Sequence, residues 1–288
     1  MQTVSVASAL RQQLSQTFED PTYRPPPLPA VALELSALSG RDDVDTDEIV
    51  RVLERDQMLA GAVMRLVGSP LYAGRGTART LRDAVLRLGI RTVRDTVFEA
   101  TLRKSVFNLP EYAEVMARIG RHGTATAYIA RVVCKYGRVA ADQAFLAALL
   151  HDIGFAALLF SASGKKPALP GLVELWPEID ALHESASKVV TKLWGLPGDL
   201  SVLVGNHHHE HTGNSSRVAA VIKVADHLTI RFGANIVGPP GPDGVPLPAC
   251  AVTDIEVADS LSLLGLDATA LDRIANDAKP ILDDVLGE

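Results

Sequence analysis

Residues 141–160 read ADQAFLAALLHDIGFAALLF, a strongly apolar stretch that a globular protein must bury. The stretch is apolar on all sides, which predicts one central, fully buried helix over 141–160. The polar pair His151-Asp152 interrupts its middle. Adjacent side chains leave a helix about 100° apart, so this imidazole and this carboxylate can reach one ion from the same wall. A charged Asp152 in such surroundings must be paired or coordinated, because an uncompensated buried carboxylate is costly.

The sequence on both sides of this stretch is patterned almost entirely as helices. Residues 58–67 carry apolar side chains at helical spacing, and Asp45 or Thr46 is a suitable N-cap for a helix over 47–55. Further helices are predicted over 4–18, 28–38, 81–88, 91–102, 112–136, 180–194, 200–208, 216–232, 257–264 and 270–286. Five prolines predict an extended loop over 237–248, and we find no strand series or internal repeat. The predicted fold is all-α, with many helices of irregular length rather than an up-down bundle.

The composition limits the classes of protein to which the chain can belong. Its 288 residues are 47% hydrophobic and 22% charged, which favours a globular protein with a sizeable core over a disordered chain. A net charge of −6 and an aromatic content of 5% disfavour DNA as a partner. The N-terminus lacks the pattern of a signal peptide. No apolar run is as long as a membrane helix, which needs about 20 residues. Cys134 and Cys250 lie outside any CxxC motif, which favours reduced thiols. From these features together we expect a cytoplasmic protein without membrane contact.

The eight histidines all lie from residue 122 onward, and several fall beside carboxylates or near predicted helix breaks. The candidate metal ligands are His122, His151, Asp152, His183, His207, His208 and Asp226. Five imidazoles and two carboxylates without thiolate suit one or two divalent transition-metal ions (Fe, Mn, Zn, Co or Ni) better than Ca or Mg. Two ions about 3.5–4 Å apart would activate a water molecule and hold a phosphoryl oxygen. Any one histidine alone is more simply a surface or core residue, whereas the whole set favours metal. His209, His211 and His227 are interpreted as flanking or exposed.

The order of these residues resembles the HD superfamily of metal-dependent phosphohydrolases, whose pattern is H…HD…D. In that pattern His122, His151-Asp152 and Asp226 would be the four positions. His183 and the pair His207-His208 resemble the additional ligands of the HD-GYP phosphodiesterases, which hydrolyse cyclic di-GMP.

Other stretches resemble the HDOD family, the HD-related output domain of bacterial signalling proteins. They are PPLP at 26–29, RDQML at 55–59, GSPLY at 68–72, DAVLRLG at 83–89, FLAALLHDIG at 145–154, and WGLP at 194–197 followed by His207-His208. The resemblance covers about residues 25–233. It implies a helical N-terminal lobe at 25–110 and an HD-like metal lobe at 111–236. Residues 1–24 would then be an N-terminal helical extension, and 237–288 a Pro-rich loop with C-terminal helices that could cover the core or form a homodimer surface.

The resemblance implies a bacterial signalling protein that binds metal at the candidate ligands and acts through contacts with a partner protein. One alternative is a metal-dependent phosphohydrolase acting on a nucleotide or other phosphoester, with Asp152 as the catalytic residue that bridges two ions. A weaker alternative is a protein that binds a cyclic dinucleotide. Hydrolysis of cyclic di-GMP is disfavoured, because Phe155 stands where the HD-GYP group has Lys and residues 210–215 lack the GYP signature. Arg118, one turn before His122, replaces an acidic ligand and disfavours a third ion.

A separate feature is the basic character of residues 75–104, which carry eight basic and three acidic side chains and so a local charge of +5. Such a face could receive a nucleotide phosphate or an acidic partner domain. The simpler interpretation is a solvated helix face with intrahelical pairs such as Arg91–Asp95.

Overall fold

Helices make up most of the chain in this computed structural model, which describes residues 2–41, 43–69, 72, 78–163, 171–210, 213, 215–240, 246–249 and 251–286. The helices are α1 (Gln2–Glu19), α2 (Ala30–Ser39), α3 (Thr46–Leu53), α4 (Gln57–Gly68), α5 (Leu81–Leu88), α6 (Ile90–Ser105), α7 (Ala113–Gly137), α8 (Ala141–Leu150), α9 (Ile153–Ala162), α10 (Leu172–Leu193), α11 (Gly198–Val204), α12 (Ser215–Arg231), α13 (Asp254–Leu264) and α14 (Ala268–Leu286). The prediction of an all-α fold is confirmed.

The Pro-rich segment before α13 departs slightly from the prediction of a loop without strands. Strand β1 (Val237–Pro240) pairs antiparallel with β2 (Pro246–Pro248) in a two-stranded ribbon. Its described parts, 237–240 and 246–248, are extended and lie close enough to pair.

The most apolar stretch forms two helices, so the prediction of a single helix over 141–160 is wrong. Helix α8 ends at Leu150 and α9 begins at Ile153, with His151 and Asp152 in the turn between them. Periodicity could not locate this break because the side chains on both sides of it are buried on every face. Among the described residues, only Gln143–Ala162 is apolar and long enough to cross a membrane by composition, and 83% of that window is buried inside the protein.

Two other predicted helix ends also differ from the structure. Helix α10 begins at Leu172 rather than near residue 180, so it contains Pro177. Helix α11 ends at Val204, and His207 and His208 lie in the turn that follows it. Gly205 is the C-cap of α11, and a Cβ there would overlap the side chain of Lys188 on α10. The two histidines are therefore placed by a turn rather than by a helix face.

The chain divides into two compact units. The first, called here the histidine unit, comprises Met1–Pro26 and Phe107–Lys279, and it contains every candidate metal ligand. In it α8 packs against α7, α9 against α10, and α12 against α7, so that α8 and α9 lie at the centre of the core. Trp176, Phe145 and Phe155 are among its largest fully buried side chains.

Two glycines set how closely these central helices approach. A Cβ on Gly123 of α7 would lie 2.8 Å from the carbonyl oxygen of Leu149 on α8. A Cβ on Gly154 of α9 would overlap the carbonyl oxygen of His183 on α10. Because protein interiors are close-packed, a methyl group at either position must push two helices apart.

The second unit comprises Pro27–Val106 and Pro280–Glu288. Its helices α2 to α6 surround buried residues such as Leu53, Phe98 and Leu102. Much of the basic character of 75–104 is neutralised locally. Arg94 forms hydrogen bonds of 2.9 and 2.6 Å with the buried Asp95, Arg103 pairs with Glu99, and Arg82 pairs with Asp47. These pairs favour a structural role for the face; Arg75 lies outside the described residues.

Candidate metal centre

All seven candidate ligands come from the histidine unit, where five different parts of the chain bring them together. They are His122 on α7, His151 and Asp152 in the α8–α9 turn, His183 on α10, His207 and His208 after α11, and Asp226 on α12. Six are almost fully buried, and His208 is partly exposed. His209 is exposed, His227 is partly exposed, and His211 lies outside the described residues.

The carboxylate of Asp152 lies at the centre of this cluster. Its Oδ2 is 3.1 Å from Nε2 of His151 and 3.5 Å from Nε2 of His122. Its Oδ1 is 3.2 Å from Nε2 of His207 and 3.5 Å from Nε2 of His183. Each carboxylate oxygen therefore faces its own pair of imidazoles.

The donors thus form two sets that share Asp152. In subsite A, donor atoms of His122, His151 and Asp152 lie within 4.8 Å of one another. Asp226 extends subsite A, because its Oδ1 lies 3.1 Å from Nε2 of His122. Subsite B consists of Asp152, His183, His207 and His208, whose donor atoms also lie within 4.8 Å of one another.

Backbone carbonyls fix the orientation of four of the imidazoles. The Nδ1–H groups donate as follows: His122 to Ala234 O at 2.9 Å, His151 to Ala148 O at 2.7 Å, His207 to Val204 O at 2.8 Å, and His183 to Asp180 O. A carbonyl only accepts hydrogen bonds, so Nδ1 must carry the proton in each neutral ring. The Nε2 atoms therefore face the centre, where those of His122 and His151 lie 3.2 Å apart and those of His183 and His207 lie 3.4 Å apart. A hydrogen bond from Nδ1–H to a backbone carbonyl is typical of histidines that bind metal through Nε2.

The charges of the cluster are strongly perturbed. Burial lowers the pKa of His151, but the neighbouring carboxylates Asp152 and Asp226 outweigh burial and raise it to about 9. Burial raises the pKa of Asp152, yet His151 and His207 outweigh it and hold that pKa well below its usual value. Burial, with a further contribution from His207, lowers the pKa of His208 to about 4. The centre therefore keeps the Asp152 carboxylate ionised. Of the two histidines with these shifts, His151 takes up a proton readily, whereas His208 remains neutral at neutral pH.

One atom tests directly whether these residues fit a metal ion. Asp152 Oδ1 is buried and accepts no hydrogen bond from the described residues, although two imidazole nitrogens lie within 3.5 Å of it. A buried carboxylate oxygen without a donor is unfavourable. A cation between Oδ1 and the lone pairs of His183 and His207 would satisfy all three atoms, and the mixed N/O donor set suits a divalent transition metal. The residues present therefore fit such an ion.

Phe155 closes the side of the centre next to His183. Its ring stacks on the His183 ring with centroids 4.5 Å apart and on Trp176 with centroids 5.4 Å apart. Phe155 is fully buried. An apolar ring thus occupies the position at which the resemblance would place a Lys. Arg118 pairs with Glu114 on its own helix at 2.6 Å.

Three polar residues that support the centre were not predicted from the sequence. Glu184 Oε1 accepts the backbone N–H of His208 at 2.9 Å, and Lys223 Nζ donates to the His208 carbonyl at 3.4 Å. Ser187 on α10 is hydrogen-bonded to the α8–α9 turn. Glu184 directly follows His183, and Lys223 precedes Asp226 by one turn, which are the signals that could have drawn attention to them.

Comparison with known proteins places this geometry in context. A family model for the HDOD domain matches residues 26–210. No curated protein matches the chain. A Geobacter sulfurreducens HDOD domain protein of unknown function is similar with a TM-score of 0.66 and 19% identity, over 95% of this chain and 97% of that one.

Two further solved structures share the fold. A Shewanella amazonensis protein, described provisionally as a metal-dependent phosphohydrolase, has a TM-score of 0.68 and 18% identity over 91% of this chain and 99% of its own. A Marinobacter aquaeolei protein, described provisionally as a signal transduction protein, has a TM-score of 0.63 and 19% identity over 98% of this chain and 65% of its own. At these identities the similarity shows the fold alone.

Proposed function

The chain belongs to the HDOD family, and on that premise we propose that it is a cytoplasmic, metal-binding signalling protein that acts through contacts with a partner protein. The observation that carries the metal-binding part is the convergence of buried imidazoles on both oxygens of Asp152. The signalling part rests on family membership, and it is supported by the buried stack at Phe155, which places an apolar ring against His183 where the HD-GYP phosphodiesterases have Lys.

Two ions would be held by the two donor sets. Subsite A would bind one ion through His122, His151, Asp152 and Asp226, and subsite B a second ion through Asp152, His183, His207 and His208. When bound, such ions act as Lewis acids that lower the pKa of water and hold phosphoryl oxygens. In a signalling protein the same ions would tie α7, α10, α12 and the two turns together, because the ligands come from all of them.

A second candidate function is phosphoester hydrolysis with Asp152 as the catalytic residue. The observation that favours it is the single carboxylate shared by two donor sets, which is the arrangement used by two-metal hydrolases. Lys223 is a buried cation beside His208, but its Nζ also lies 3.4 Å from Glu256 Oε1, which would compete with a substrate phosphate.

One experiment separates these functions. The full chain, purified without chelator and loaded with Mn²⁺ or Zn²⁺, is assayed against nucleotides, cyclic di-GMP and generic phosphoesters, with Asp152→Ala as the control. Metal-dependent turnover that Asp152→Ala abolishes would establish the hydrolase and overturn the signalling proposal. Bound metal without turnover supports the signalling protein. Saturable binding of cyclic di-GMP without turnover would instead make the chain a receptor for that nucleotide. Light scattering on the same samples tests whether the chain forms a homodimer.

A further inference from the structure

Helix α9 begins in an unusual way for a helix that follows an aspartate. Asp152 is its N-cap, and aspartate in that position normally accepts the N–H of the second or third helical residue. Elsewhere in this chain it does so: Asp56 accepts the N–H groups of Met58 at 2.9 Å and Leu59 at 3.2 Å. Asp152 makes no such bond, and its carboxylate is directed at the imidazoles instead.

A side chain of α10 accepts the backbone N–H that Asp152 does not bind. Gly154, the second residue of α9, donates its N–H to Ser187 Oγ on α10 at 2.8 Å. The same hydroxyl donates to the carbonyl oxygen of His151 at 2.9 Å. Ser187 is fully buried, so water does not supply either bond. One side chain thus satisfies the polar backbone groups on both sides of Asp152.

Gly154 makes this arrangement sterically feasible. A Cβ at this position would lie 2.8 Å from the backbone nitrogen of Ser187 and would overlap the His183 carbonyl oxygen. Without a side chain at 154, α10 approaches closely enough for a residue as short as serine to reach the first turn of α9.

We propose that Ser187 is a positioning residue of the metal centre, which caps α9 in place of Asp152 and so leaves both Asp152 oxygens free for metal ions. The inference rests on the proposed metal binding. Its physical basis is a competition for one carboxylate between the first N–H groups of α9 and the two subsites. Ser187 removes the first competitor. Without it, the buried Gly154 N–H draws the Asp152 carboxylate away from the imidazoles.

The test compares Ser187→Ala with Thr191→Val. Thr191 lies one turn further along α10 and is equally buried, but its hydroxyl donates to Ser187 O at 2.8 Å and Lys188 O at 3.2 Å, both on its own helix. Zn²⁺ affinity is measured by competition with a chromophoric chelator, on the full chain, at a temperature where circular dichroism shows each variant folded. We expect Ser187→Ala to bind Zn²⁺ about 10–100-fold more weakly, as is typical when a contact that orients a ligand is lost, and Thr191→Val to match the wild type.

A second arm shows whether Ser187 acts through Asp152. In an Asp152→Ala background, Ser187→Ala should cost no further Zn²⁺ affinity, and an additive loss would overturn the proposal. Equal affinities of Ser187→Ala and Thr191→Val, with the wild type binding Zn²⁺, would overturn this inference alone, whereas a wild type that binds no Zn²⁺ overturns the proposed metal binding with it. If Ser187→Ala does not fold, Ser187→Cys, with a weak acceptor of similar size, must show the same direction of loss.

Discussion

Gly154→Ala tests the close approach of α9 and α10 beside the centre. The new methyl group would overlap the His183 carbonyl oxygen and approach the Ser187 nitrogen to 2.8 Å, so the helices must separate. Overpacking of this kind costs about 1–3 kcal/mol. The separation also breaks the 2.8 Å bond from Gly154 N–H to Ser187 Oγ, and a buried group left unsatisfied costs about 1–3 kcal/mol more. Alanine returns about 1 kcal/mol through its higher helix propensity, so the expected net loss of unfolding free energy is about 3 kcal/mol.

The assay is urea unfolding followed by tryptophan fluorescence, which reports on the histidine unit because Trp176 and Trp194, the two tryptophans of the chain, both lie in it. Gly198→Ala is the control, since a Cβ at Gly198 meets no atom within 4 Å. The control should unfold within about 1 kcal/mol of the wild type. A Gly154→Ala protein as stable as this control would refute the close approach of α9 and α10.

Three further outcomes follow from the centre and its surroundings. His151, with a pKa of about 9, carries a proton at pH 7.5 in the metal-free protein, and a metal ion needs its lone pair. Zn²⁺ binding at pH 7.5 should therefore release about one proton from this ring, measured by calorimetry in buffers of different ionisation enthalpy, and a release of zero would contradict the assigned charge. Phe155→Ala should lower the free energy of unfolding by about 3–5 kcal/mol in urea, because it empties a buried aromatic stack; a loss below 1 kcal/mol would contradict that packing. Glu184→Gln, which keeps an acceptor for the His208 N–H, should weaken Zn²⁺ binding less than Glu184→Ala in the same chelator competition, and the reverse order would contradict the role given to that bond.

The helical fold could be predicted because most helices have clear ends in the sequence. Thr80 and Asp83 form a capping box at the start of α5, and Asp45 caps α3. The break at His151-Asp152 has no such signal. It lies between two stretches whose residues are almost all buried, so no change of periodicity marks it. The hydroxyl of Ser187, which bonds to both sides of the break, comes from a residue 36 positions away from His151.

The candidate ligands were proposed from the order of histidines and aspartates, and the structure brings all seven into one cluster. What the order could not provide is the division into two subsites, because that depends on which oxygen of Asp152 each imidazole faces. The sequence also could not predict the roles of Ser187, Glu184 and Lys223. Each acts through a contact between parts of the chain that meet only after the helices have packed.

If these seven residues form two metal subsites that share Asp152, the number of metal ions bound per chain will show it. The full chain and two variants, purified without chelator and equilibrated with Zn²⁺, are desalted and analysed by inductively coupled plasma mass spectrometry. We predict two ions per chain for the wild type, one for His207→Ala, which disrupts subsite B, and two for His209→Ala, whose ring is exposed. A wild type without stoichiometric metal would rule out both subsites, and a His207→Ala variant that still holds two ions would rule out subsite B.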